Sequence, residues 1–282
     1  MRATRSGHAA STAHAAVLAA NVLWATWNVA SRALVSTGTN PVVFATYREI
    51  ACAIFLALVT LARQWLCGGG GKSFTMREWR LLLLCGTILF FFQVAFLVGV
   101  GGADATTAGL SILLVPLIAL IGTACLGWEP LPLCRGPRSA RIASWAKLAG
   151  IACAFLGCGF LICTPSAAHT AADGASPQQQ QQQTNGGAWA LGCAVLFLSG
   201  VGTALFVLAQ RPLLQTHAAD VVMTACYAVA SAVAAGACGV WALVVRPSPA
   251  TFGLSVAEAQ ALAFTVVFAS CAAFTLFTYA NR

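Results

Sequence analysis

The chain has 282 residues, of which 59% are hydrophobic and only 8% charged, with a formal net charge of +8. A soluble domain carries roughly a quarter of its residues as charged ones, so a water-exposed globular protein is excluded and much of the exterior must face lipid. The basic residues lie in short loops between apolar runs, which argues against a nucleic-acid role and for a topogenic one.

Eight apolar runs follow one another, each close to the ~20 helical residues that cross a hydrocarbon core of ~30 Å. They are predicted at about 13–34, 41–61, 81–100, 105–126, 146–163, 187–208, 221–245 and 262–279. The start, residues 1–11, is basic and rich in Ala and Ser like a transit or signal peptide. Its apolar continuation past Trp24 and Trp27 is too long for a signal core, so a non-cleaved first span is expected.

A polar group inside the bilayer is costly and usually faces the bundle interior or a wet cavity. On the first span His14, Asn21 and Asn28 recur every seventh residue, with Trp24 between them and Arg32 beyond, all on one helical face. That face reads either as a cavity wall of amides and an aromatic platform, or as interhelical hydrogen bonding worth ~0.6 kcal/mol per contact. Tyr47, Arg48 and Glu49 lie within the second span. Arg48 therefore sits about 10 Å below the helix start at ~1.5 Å per residue. Neighbouring residues on a helix point ~100° apart, so Arg48 and Glu49 are not expected to pair with each other, and facing helices should supply partners. Arg48 is a candidate for an anionic substrate group, and Glu49 for proton coupling; a structural ion pair is the alternative for both.

Further cavity candidates are Gln93 in the third span, Thr107 and Ser111 one turn apart in the fourth, and Thr203 and Tyr227 in the sixth and seventh. Ser199, Thr224 and Ser231 belong to the same class. Hydroxyls in helices often bond their own backbone, which is the plainer reading of each. Pro116 removes a backbone bond and should bend the fourth helix, as a hinge or cavity opening would require.

Two stretches are not membrane. One is the loop 129–144, with Pro130, Pro132, Pro137 and three arginines; the other is 164–186, where Pro177 precedes six glutamines, a disordered linker by composition. The twelve cysteines are dispersed without a CxxC pair, and the four histidines lie far from any cysteine cluster, so neither a metal nor another cofactor is expected. Gly68–Gly71 before Lys72-Ser73 lacks the first glycine of a phosphate loop, and Asp104 has no second intramembrane aspartate. No catalytic residues are assigned, and the chain is not expected to be an enzyme.

If the spans alternate, twelve of the fifteen Lys and Arg residues fall on one side, Arg246 alone on the other, and Arg32 and Arg48 in or near the membrane. Both termini are then cytosolic. Ser31-Arg32-Ala33-Leu34 before Pro41-Val42-Val43 is echoed 179 residues later by Gln210-Arg211-Pro212-Leu213 before Asp220-Val221-Val222. Five spans separate the copies, so the two halves would be inverted, a recurrent build of secondary transporters.

The order Asn21–Trp27, Arg32-Ala33-Leu34, Asn40-Pro41, Tyr47-Arg48, Pro116 and Gly127-Trp128-Glu129 resembles the EamA-type drug/metabolite transporters. Within them it is most similar to the plant branch of nodulin-21-like and walls-are-thin-related proteins, with Gln210-Arg211 resembling the second-repeat counterpart. The resemblance covers residues 13–163 well and 187–282 more weakly. It implies a ten-helix, five-plus-five inverted-repeat fold that exports or redistributes small organic metabolites. The sequence stops after the eighth helix, where the family continues with two more, so a fragment or a short gene model is expected, with a pair from another chain as the third alternative. Glu49 departs from the family, which more often has an uncharged residue there.

The expectation is therefore an all-α polytopic membrane protein, an inverted-repeat helical bundle with eight transmembrane helices of ten. Residues 1–163 form the first repeat of five helices, 164–186 the linker, and 187–282 a second repeat of three. The expected function is transport of small organic metabolites by alternating access, passive or proton-coupled; a transport-inactive truncated bundle or a receptor-like protein is the alternative. The expected partners are a small organic solute and the lipid bilayer, with no nucleic acid, and a homodimer is left open. The plasma membrane is the expected location, with the vacuolar or plastid membrane as alternatives.

Overall fold

The computed structural model describes residues 2–67, 73–103, 105–112, 114–128, 141–142, 144–146, 148–150, 152–153, 156–157 and 186–280. In lipid every backbone polar group must be satisfied within its own segment, so long apolar runs become helices. The described residues accordingly form α1 (Arg2–Ser36), α2 (Pro41–Cys67), α3 (Met76–Gly102), α4 (Ala105–Ser111), α5 (Leu114–Cys125), α6 (Gly186–Leu214) and α7 (Ala219–Val245). A last segment comprises α8 (Val256–Phe264), a π-helical stretch (Thr265–Ala272) and α9 (Ala273–Ala280).

Six of these segments are long and apolar enough to cross a membrane: α2, α3, α4 with α5, α6, α7, and the last segment over Val256–Leu276. The helix α1 is long enough, but Asn21, Asn28 and Arg32 dilute its apolar character. Most of the predicted fifth span and the predicted linker lie outside the described residues. Large apolar side chains such as Leu18, Leu66, Leu243 and Val244 are exposed, as a lipid-facing surface requires. This is a polytopic helical membrane protein.

The fourth predicted span is broken. The helix stops at Ser111 and restarts at Leu114, with the Val115 N–H turning back to the Ile112 carbonyl at 3.1 Å. Pro116 causes this: its ring clashes with the carbonyl four residues earlier, that of Ile112, and it offers no N–H to it.

The bundle is organised around α3. It packs most extensively on α6, while α2 packs on α7 and α1 on the last segment. Small residues set the α3–α6 approach, as is usual between membrane helices. A Cβ on Gly192 would lie 2.6 Å from the carbonyl carbon of Gly102, and one on Gly202 would lie 2.6 Å from Phe92 Cβ. The Ser199 hydroxyl then donates across the interface to the Phe92 carbonyl at 2.8 Å. Between α2 and α7, Thr60 and Thr224 hydroxyls meet at 2.9 Å, and Ser231 donates to the Glu49 main-chain oxygen at 2.8 Å.

Candidate substrate cavity

A cavity of about 470 Å³ lies inside the bundle, walled by α1, α2, α3, the α4–α5 break, α6, the π-helical stretch and the start of α9. Its volume suits a small organic molecule. Of the residues singled out from sequence, Asn21, Trp24, Asn28, Arg48, Gln93, Ser111, Pro116, Ser199 and Thr203 line it. Aromatic rings contribute much of the apolar wall, from Trp24, Trp27, Phe92, Phe96 and Phe274.

The charge in the wall is Arg48, only 2% exposed. Contrary to the expectation that facing helices would supply its partner, it pairs with its own neighbour. Its Nη2 donates to Glu49 Oε1 at 3.0 Å and its Nε to the same oxygen at 3.3 Å. The helical wheel places the two Cβ atoms apart, but the arginine stem is long enough to swing the guanidinium back over the carboxylate. The guanidinium also stacks on Trp27, 5.8 Å from the ring centroid. Pairing neutralises a charge that would otherwise be prohibitive at this depth. Among the described residues only Glu49 Oε1 accepts from the guanidinium, so other N–H groups of the fork stay free for the cavity.

Two amides complete the polar wall. Asn28 and Gln93 are 5% and 4% exposed, and Asn28 Oδ1 and Gln93 Nε2 have no hydrogen-bond partner among the described residues. A buried acceptor and a buried donor without partners are costly in an apolar interior, and both residues border the cavity. Asn21 also lines it, though its Nδ2 donates to the Val17 carbonyl one turn back at 2.9 Å. Ser111 and Thr203 line it with hydroxyls that donate to their own helices, at 2.8 Å to Ala108 and 3.0 Å to Ser199.

Thr224 and Ser231 lie at the α2–α7 contact rather than on the cavity, and four further candidates are not brought to it. Tyr47 donates its hydroxyl to the Phe252 carbonyl at 2.8 Å, tying α2 to the loop before α8. Tyr227 is fully buried against Phe274, edge to face at 6.4 Å. Thr107 is half-buried in α4, and Glu49 lies behind Arg48 rather than on the wall. Arg32, near the end of α1, caps the end of α3, donating to the carbonyls of Val100 at 2.6 Å and Gly101 at 2.9 Å. Its counterpart Arg211 stacks on Trp128, 5.6 Å from the ring centroid.

The π-helical stretch was not anticipated. It lines the cavity with Ala269 and Ser270, and the indole N–H of Trp24 donates to the Ala269 carbonyl at 3.1 Å. Such stretches are rare and frequent at functional sites. Nothing local in Thr265–Ala272 signals it, whereas Trp27 could have been found, since it follows Trp24 by three residues on the same helical face.

The EamA-like transporter family matches residues 11–163, more than half of the chain. The chain belongs to that family. It is thus a membrane transporter of small solutes, in a family of transporters rather than enzymes. No curated protein and no solved structure gave a match. The EamA match covers every wall residue contributed by α1, α2, α3 and the α4–α5 break, from Val17 to Pro116. Among the described residues no group of His, Cys, Asp and Glu could hold a metal ion.

Proposed function

We propose that this EamA-family protein moves small organic metabolites by alternating access around the cavity, passively or coupled to protons. The observation that carries the reading is the juxtaposition of three under-used polar groups in one aromatic cavity: the free edge of the Arg48 guanidinium, Asn28 Oδ1 and Gln93 Nε2. Donors and an acceptor converging inside apolar walls orient a polar head while the rings hold an organic body. Glu49 is the coupling candidate, because its Oε2 has no partner among the described residues and its state decides how firmly Arg48 is held.

Two inverted repeats, 1–163 and 187–282 with the linker 164–186 between them, are supported by the packing. Exchanging α1 with α6, α2 with α7 and α3 with the last segment maps the α3–α6 contact onto that of the last segment with α1, and α2–α7 onto itself. The family match ends at residue 163, where the first repeat was placed. Pro116 would serve as hinge at the α4–α5 break. The basic-residue bias supports cytosolic termini, and the plasma membrane is the proposed site. The order Asn40-Pro41, Tyr47-Arg48 and Pro116 supports the plant nodulin-21-like and walls-are-thin-related branch.

Substrate protection tests the cavity. A cysteine placed by Asn28→Cys should react with a small maleimide, and a transported metabolite should slow that reaction in a saturable way. If no member of a broad metabolite panel protects it, the cavity is not the binding site.

A further inference from the structure

Two glutamates are wired alike at opposite ends of the bundle. Glu78 opens α3 and closes a capping box, its Oε2 accepting from Thr75 N at 2.8 Å. Its other oxygen, Oε1, accepts the hydroxyl of Thr216 at 2.9 Å, from the loop between α6 and α7. Glu258 opens α8 with the same capping box, 180 residues later in the chain. Its Oε2 accepts from Ser255 N at 2.7 Å, and its Oε1 accepts the hydroxyl of Thr39, from the loop between α1 and α2. In each case a third helix of one half holds the loop between the first and second helices of the other half.

The two contacts lie on different faces. Thr39 precedes the start of α2 at Pro41, whereas Arg63 near its far end pairs with Asp220, four residues beyond Thr216, at 2.9 Å. The 27 residues of α2 separate those ends by about 40 Å at 1.5 Å per residue.

We propose that Glu78–Thr216 and Glu258–Thr39 are the paired latches of the transport cycle, each closing one membrane face. This rests on the alternating-access reading above. Both glutamates sit at helix starts near water, so a threonine hydroxyl can be exchanged for solvent. The capping box uses the other oxygen, so a latch opens without unravelling its helix. The two are unequal. Glu78 Oε1 also meets His217 Nε2 at 3.2 Å, and Arg63–Asp220 reinforces that face; among the described residues no ion pair involves Glu258. The Glu258 face is therefore the one that opens more readily.

The test uses Ser111→Cys as a reporter in the cavity wall, in the full chain reconstituted in vesicles. A membrane-impermeant maleimide is added to one face or the other, and alkylation of that residue is read by peptide mass spectrometry, which separates it from the native cysteines. Thr39→Val should raise labelling from the Glu258 face several-fold and lower it from the Glu78 face; Thr216→Val should do the reverse. Thr39→Ser and Thr216→Ser keep the hydroxyl and should label like the parent. Valine variants that shift labelling in the same direction, or not at all, overturn the latches, as do serine variants that shift as far. A reporter labelled from only one face in the parent and in every variant overturns alternating access itself, and the latches with it.

Discussion

Arg48 and Glu49, adjacent in the chain, close a 3.0 Å ion pair inside the bundle with 2% and 0% of their side chains exposed. The pair faces the cavity through arginine and the protein interior through glutamate. Removing the arginine alone leaves a carboxylate buried without a counter-charge, which costs ~3–5 kcal/mol. Arg48→Ala should therefore abolish transport and lower thermal stability in detergent. Adding Glu49→Gln should restore stability without restoring flux. A double variant that recovers transport would remove Arg48 from the site.

Gln93 makes a different prediction, because its Nε2 has no partner among the described residues. Replacing a buried, unsatisfied amide by an apolar side chain of similar size is nearly neutral or stabilising. Gln93→Met should leave the melting temperature unchanged or raised while KM increases about fivefold, the equivalent of ~1 kcal/mol. A fall in stability with unaltered KM would mark Gln93 as a packing residue.

Trp24 holds the π-helical stretch through one hydrogen bond to Ala269 and stacks edge to face on Phe274 at 5.1 Å. Trp24→Phe keeps a ring but loses the N–H, so a carbonyl in the cavity wall is released. Transport assays should show KM raised several-fold, for a bond worth ~1 kcal/mol, with the protein still folded. An unchanged KM would show that the wall does not need this anchor.

Gly192 and Gly102 let the backbones of α6 and α3 touch. A side chain at Gly192 would strike main-chain atoms, which cannot move aside as a flexible side chain would. Gly192→Leu should cost more than ~2 kcal/mol and appear as lost folded protein by size-exclusion chromatography. Exposed Gly236, with nothing near its absent Cβ, should tolerate Gly236→Ala without such loss.

The spans were legible because a bilayer demands long apolar helices, and intramembrane polarity pointed to Asn28, Arg48 and Gln93 because such groups need an interior. The aromatic wall was not legible: Phe91 is 58% exposed while its neighbours Phe90 and Phe92 are 2% and 7% exposed, and residue type alone does not separate lipid from cavity. The Arg48–Glu49 pair escaped because a helical wheel tracks Cβ directions and ignores the reach of a four-atom stem. Tyr47 and Tyr227 were misplaced for a related reason, since a phenol satisfied by a loop carbonyl and one packed among rings look the same in sequence. The π-helical stretch meets Trp24 through the Ala269 carbonyl, and no local residue announces it.

Solute flux into vesicles carrying the purified protein tests most directly whether the cavity is a passage. Uptake of at least one organic metabolite above empty vesicles, saturable and lost in Arg48→Ala with Glu49→Gln, is the expected result. Flux no greater than that of empty vesicles across a broad panel, or flux indifferent to that double substitution, would contradict it.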